Sequence, residues 1–378
     1  MLLLIVALSR ADAPAHDASA WGGLFRTRDA GATWLHVNPA SFVSGALAVA
    51  VSPVDPHHLL LATDTGVSRS RNGGRDWVIE APDVLVGPAF TVAFDVDGGR
   101  TLVAGASAIF RGDGDRWSPL RVPSGSTPPR ALVSGSVRGR VYLAGWAGLH
   151  RSDDWGASWV KVGDGIRAKY AAGVVVPPGR PEHVYVVAGG RFWASIDAGR
   201  NWQLRGGGLP ASGIEVVAVD PSDADRLWSV AAGQVFRTED QGQSWRPVGA
   251  AVPDKPVVAR AVAVVDHVML VATDRGVYRS ADDGQRWELS TDNLPAHLGA
   301  ELLVRDPLSP ATVYAGFALT PHDELLRRAV EDGGPFGRLG LVNAAGGLAF
   351  LALLFLAAGL VVRRVARAHY RVSRIAPR

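Results

Sequence analysis

Cysteine is absent from the 378 residues. That excludes a disulfide framework, thiolate zinc sites, iron–sulfur clusters and a cysteine nucleophile. Methionine is scarce at 2, and tyrosine, at 6, is outnumbered by tryptophan at 12. Charged residues make up only 20 %, but hydrophobic residues at 47 % suffice for a sizeable core, so this is not the composition of a disordered chain. No histidine cluster has metal-ligand spacing, and His57-His58 reads as a solvent-facing turn after Pro56. No glycine-rich phosphate loop leads from a strand into a helix. No metal and no cofactor are expected.

Acidic residues are missing from one whole stretch. From Gly333 to Arg378 there are seven Arg, no Lys, and no Asp or Glu. With a net charge of +3 overall, the rest of the chain is acidic on balance. The basic character belongs to the tail, and no nucleic-acid partner is expected for the body.

That tail follows a long uncharged run. Residues 339–362 read LGLVNAAGGLAFLALLFLAAGLVV. A helix of this length spans roughly 36 Å at about 1.5 Å per residue, enough to cross a hydrocarbon core of about 30 Å. Arg363, Arg364, Arg367, Arg371, Arg374 and Arg378 come next. The positive-inside rule places residues 363–378 in the cytoplasm and everything before the run outside it, in the periplasm or the extracellular space. Residues 1–20 read as a signal-like segment. MLLLIVAL is a short apolar core without a preceding Lys or Arg, and Ala18-Ser19-Ala20 offers a small-x-small cleavage site. Residues 321–338 read as a polar juxtamembrane stalk with a helix candidate in DELLRRAV.

Between these ends one unit recurs. TRDAGATW ends at Trp34, SRNGGRDW at Trp77, SDDWGASW at Trp159, SIDAGRNW at Trp202, TEDQGQSW at Trp245 and SADDGQRW at Trp287. A shortened copy, RGDGDRW, ends at Trp117. Each unit supplies an apolar run, a turn, a second run, a Gly turn, a third run, the box itself and a strand after the Trp. Four short strands in a period of about 40–45 residues make a propeller blade. The chain enters the body with the second half of a unit, at residues 21–26, and leaves with the first half of one, ELLVRDPLSPATVYAGF. Joined, the halves make a seventh blade and remove the open sheet edges. The expectation is an all-β fold: one seven-bladed β-propeller over residues 21–320, with a C-terminal transmembrane helix.

Within the box, Asp29, Asp154, Asp197, Asp240 and Asp282 can accept backbone N–H groups from their own turn, and Asn72 can do the same as an amide. Gly31, Gly74, Gly156, Gly199, Gly242 and Gly284 supply a positive φ. Trp34, Trp77, Trp159, Trp202, Trp245 and Trp287 offer a flat packing surface with one N–H to satisfy. These read as structural residues.

The pattern Ser/Thr-x-Asp-x-Gly-x-x-Trp resembles the Asp-box, or bacterial neuraminidase repeat. Asp-box propellers include sialidases and other glycoside hydrolases, sortilin-type receptors and the photosystem II assembly and stability factor family. The even spacing without large insertions is most similar to the last group, whose members are implied to be non-enzymatic assembly factors. The C-terminal anchor departs from that group, and the missing cysteines depart from the sortilin type. A sialidase would need an Arg-Ile-Pro element near the first blade, but the nearest match, Leu120-Arg121-Val122-Pro123, follows the third box. Other glycosidases on this fold set two carboxylates across the centre. Glu215 and Glu301, at the starts of first strands, are the candidate pair, with Asp95 further along such a strand. Lys169 and Tyr170 are candidate binding residues at a blade connection.

Arginine precedes the box in six of the seven units: Arg26, Arg69, Arg111, Arg151, Arg237 and Arg279, with Ala194 breaking the series. These six are either a basic docking ring or internal props that lie against the next blade. The expected function is a membrane-anchored scaffold that holds a membrane or envelope protein. The alternatives are a surface glycoside hydrolase or glycan-binding protein and, last, a peptide receptor.

Overall fold

The computed structural model describes residues 22–331, apart from 39–44, 125, 127, 146–147, 165, 167–170, 212, 254–255, 296–297 and 321. Seven four-stranded antiparallel sheets form the body. Six blades run in chain order from inner to outer strand. Blade one comprises Ala46–Val51, Leu59–Thr63, Gly66–Ser70 and Val78–Ile79. The next five have inner strands Ala89–Phe94, Pro129–Ser134, Ala171–Val175, Ile214–Asp220 and Ala259–Val265. The seventh is built from both ends of the body: Ala300–Arg305, Val313–Phe317, then Gly23–Thr27 and Leu35–His36. Thr27 pairs with Val313 and Gly23 with Phe317. Each inner strand contacts those of its two neighbours, and the seventh contacts the first, so the ring is closed.

Burial explains the apolar runs. The second strands of blades one, three, four and seven are buried along their whole length. Both faces of such a strand are covered by adjacent blades, so its sequence need not alternate. Outer strands are mostly two or three residues long and exposed, as at Val78–Ile79 and Val160–Lys161. Short outer strands leave little edge for another chain to pair with.

Each inner strand also carries a bulge at its second residue: Leu47, Phe90, Arg130, Ala172, Glu215, Arg260 and Glu301. The extra residue re-aims its side chain relative to the regular pleat. Two of the seven are the carboxylates singled out in the sequence.

The six complete boxes fold alike. The Ser or Thr hydroxyl donates to the Asp or Asn side-chain oxygen at 2.6–3.1 Å. The same hydroxyl accepts the Gly N–H at 2.8–3.0 Å. The carboxylate or amide oxygen accepts the N–H four residues on at 2.8–2.9 Å. Two successive residues take positive φ. The fourth lies at 52–74° and the glycine at 80–87°, where side chains other than glycine's are strained.

The box is also the joint between blades. A Cβ on Gly242 would meet Phe192 of the preceding blade at 2.2 Å, and one on Gly199 would meet Val162 at 3.1 Å. The indoles of Trp77, Trp202 and Trp287 donate to the carbonyls of Val37, Val162 and Ala250 at 2.6–3.0 Å. Each of those carbonyls belongs to the exit of the blade before.

These bonds fix a pH response. Burial opposes ionisation of Asp29, but bonds from Thr27 and Thr33 outweigh it and bring the carboxyl down to about 2. Asp154, Asp197, Asp240 and Asp282 are also lowered by hydrogen bonds from their own turns. A carboxylate whose folded pKa is depressed stabilises the fold above its ordinary value, near 4, and loses that contribution as pH falls through the folded value. Stability against urea is therefore expected to fall between about pH 4 and pH 2. Asn72, with no acid to titrate, predicts that Asp197→Asn flattens part of this slope. An unchanged slope would refute that origin.

A helix, His322–Glu331, follows the last blade. A second unit begins at Arg327, and its described residues, 327–331, are the end of that helix. Among the described residues no helix is long and apolar enough to cross a membrane. The signal-like segment 1–20, the apolar run 339–362 and the tail 363–378 lie outside the described residues.

Candidate functional site

Three of the six pre-box arginines are joints between blades. Arg26 donates to the carbonyl of Gly73, Arg151 to that of Ala198 at 2.8 Å, and Arg279 to that of Ala30 at 3.0 Å. Each acceptor is the fourth residue of the next blade's box. Arg69 turns instead to Glu80 at 2.5 Å and His58 at 2.7 Å. Arg111 pairs with Asp113 and Arg237 with Glu239, both at 3.1 Å. Arg26, Arg69 and Arg151 are buried, with less than a tenth of their surface exposed. The basic docking ring is therefore corrected for these three, whose guanidinium groups are committed inside the body.

Where Ala194 interrupts the series, a different residue fills the role. Arg205, on the outer strand of blade four, donates to the carbonyl of Gln241 at 3.1 Å. Gln241 is the fourth residue of the next box. The gap in the arginine series was the only sequence signal that a substitute was needed.

His58 is not solvent-facing. It packs edge-on against Phe94 at 4.8 Å and bonds Arg69. Burial and the neighbouring guanidinium bring it down to about 4.

Glu215 and Glu301 flank blade six. Glu215 accepts the N–H of Ala232 at 3.0 Å and that of Ala259, the first residue of the next inner strand. Burial raises its carboxyl above the ordinary range, against the pull of these two N–H groups. Glu301 is ion-paired with Arg260, and its side chain is 4 % exposed. Both are bulge residues, and each engages blade six. Asp95 is fully buried and bound by Arg100. Tyr142, Tyr185, Tyr278 and Tyr314 are buried in the blade packing. Lys169 and Tyr170 lie outside the described residues.

Two cavities lie near the axis. The first, about 650 Å³, is central. All seven inner strands line it, chiefly with Val, Ala and Leu side chains such as Ala50, Val92, Val133, Val216, Ala218 and Leu303. The second, about 880 Å³, lies between blades five and six and reaches Arg305 of blade seven. Its wall carries Arg226, Arg237, Arg246, Asp266, His267 and Asp283. Asp220, Trp228, Val264 and Arg305 belong to both walls. Among the described residues no group of three or more His, Asp or Glu is placed to hold a metal ion.

No family model and no curated protein matches the chain. Solved structures do. YCF48 bound to a D1 peptide superposes with a TM-score of 0.54 at 16 % identity, over 72 % of this chain and 92 % of that one. YCF48 from Cyanidioschyzon merolae gives 0.54 at 15 % identity, over 74 % and 97 %. The GH74 xyloglucanase from Xanthomonas campestris gives 0.60 at 22 % identity, over 76 % of this chain and 53 % of the enzyme, so the chain spans about half of that protein. At such identities the likeness is one of fold, and the chain is similar to all three as a β-propeller.

Proposed function

We propose that this chain is a non-enzymatic scaffold whose propeller stands outside the cytoplasm, held by a single membrane helix at 339–362, and grips a protein partner. In this reading the repeated turn is an Asp-box, and the chain is most akin to the photosystem II assembly factors. The observation that carries it is the fate of the two axial carboxylates. A glycosidase needs a proton donor and a second carboxylate both facing one substrate. Glu215 is bound to the backbone of blade six and Glu301 to Arg260, so both carboxylates are engaged within the body. The likeness to YCF48, there with a D1 peptide, favours a protein or peptide partner. The uncharged run and the arginine tail favour the anchor and its orientation.

The test is purification of the full chain in mild detergent, with mass spectrometry of what stays bound. A stoichiometric membrane or envelope protein is the expected result. Glycan hydrolysis by the purified chain, lost in Glu215→Gln or Glu301→Gln, would replace the scaffold with a glycoside hydrolase. Because the sequence has no cysteine, a single cysteine introduced near residue 376 reports topology cleanly. Labelling of intact cells by an impermeant reagent at that position would overturn the orientation.

A further inference from the structure

The axial cavity combines a wall of aliphatic side chains with one guanidinium set where that wall ends. Arg305 is the last residue of the seventh inner strand. Its counterparts in register on blades one, two and five are Val51, Phe94 and Val219. On blade three the counterpart is Ser134, and Asp220 of blade five also lines the cavity, so Arg305 is the one guanidinium on a mostly apolar wall.

Its bonding is incomplete. Nε donates to the carbonyl of Pro310 at 3.4 Å, a long bond. Among the described residues no carboxylate forms an ion pair with it. Asp220 and Asp266 attract it from further away, while burial pushes the guanidinium below its ordinary range. Asp220 is itself held elsewhere, by Ser222 at 2.6 Å and Arg226 at 3.3 Å. Around the adjoining cavity, Arg237 and Arg246 share Glu239, and His267 bonds Asp283 at 3.0 Å. Of the arginines along the two cavities, Arg305 is the one whose two terminal nitrogens meet no acceptor among the described residues.

Small-molecule sites are typically concavities of about 300–1,000 Å³, mostly apolar, with a few polar groups that fix orientation. A carboxylate is the group whose geometry matches a guanidinium fork. We propose that the axial cavity binds a small amphipathic carboxylate, its apolar part among Val133, Val216, Ala218 and Leu303 and its carboxylate on Arg305. The proposal stands whether or not the scaffold reading does.

The test is calorimetric titration of the full chain with octanoate, acetate and octanol. Octanoate should saturate one site, at least tenfold tighter than either control. Arg305→Gln should weaken octanoate about tenfold and leave octanol unchanged. Ala218→Leu, which fills part of the aliphatic wall, should weaken octanoate without touching the guanidinium. The proposal fails if octanoate does not saturate, if octanol binds as tightly as octanoate, or if Arg305→Gln binds octanoate as the wild type does. The comparison of octanoate with octanol needs no variant, so a failure of either variant to fold leaves the test intact.

Discussion

Gly242→Ala should destabilise the propeller by about 3 kcal/mol. Two costs add. The residue holds φ at 82°, a left-handed conformation that costs an alanine roughly 1–2 kcal/mol. The new methyl would then lie 2.2 Å from Phe192. Phe192 cannot step aside, because it is 1 % exposed and stands between Tyr185, stacked at 5.6 Å, and Trp245, edge-on at 5.3 Å. Overpacking of that kind costs a further 1–3 kcal/mol. Gly114→Ala is the control. Gly114 has φ of 62° with nothing within 4 Å of the added carbon, so only the conformational cost applies. Urea denaturation should show the Gly242 variant melting well below the Gly114 variant at similar slope. Equal midpoints would show that the box glycine serves the turn alone and not the joint.

Asp95→Ala should cost about as much, roughly 3–4 kcal/mol. The carboxylate is fully buried and holds three groups at once. It receives Arg100 Nε at 3.1 Å, the N–H of Val96 at 2.9 Å and the N–H of Gly139 in the next blade at 3.1 Å. Truncation leaves a buried N–H without an acceptor and a guanidinium only partly reached by water. Removing one partner of a buried pair typically costs about 3–5 kcal/mol, and the 26 % exposure of Arg100 places this case toward the lower end. The double variant Asp95→Leu with Arg100→Met should recover part of the loss, since no charge is then left unpaired. A single variant within about 1 kcal/mol of wild type would show that the interblade bond carries no weight.

The blade count was legible because its signals are local. Ser or Thr, Asp or Asn, Gly and Trp within eight residues fix one turn, and six such turns with a shortened seventh copy at even spacing fix a ring. What the boxes bind to was not legible. Whether Arg151 meets solvent or the carbonyl of Ala198 depends on how closely blades three and four approach, and no spacing within one repeat encodes that distance. Glu215 and Glu301 were misleading for a related reason. Their positions at the heads of inner strands point toward the axis, but a bulge adds one residue there and turns each side chain to blade six. Arg205 escaped notice because it replaces a missing donor from a different strand, so period alone could not find it. Arg305 was hidden by its ordinary setting, one arginine before an Asp-Pro turn.

The seventh blade sets the order of events during synthesis. The strand Gly23–Thr27 is made first among the described strands, yet its partner Val313–Phe317 is the last. At about 5–20 residues per second, the ribosome needs roughly 15–60 s to supply the partner. Until then the first strand has only the short Leu35–His36 beside it, and six blades stand as an open arc with unpaired ends. Local hairpins form in microseconds, so the blades themselves are not the slow element. Closure waits on a contact between the beginning and the end of the body, the kind of non-local pairing that slows folding and leaves strands available for wrong partners. For this chain the hazardous interval is written into the topology, and it ends only when residues 313–317 arrive.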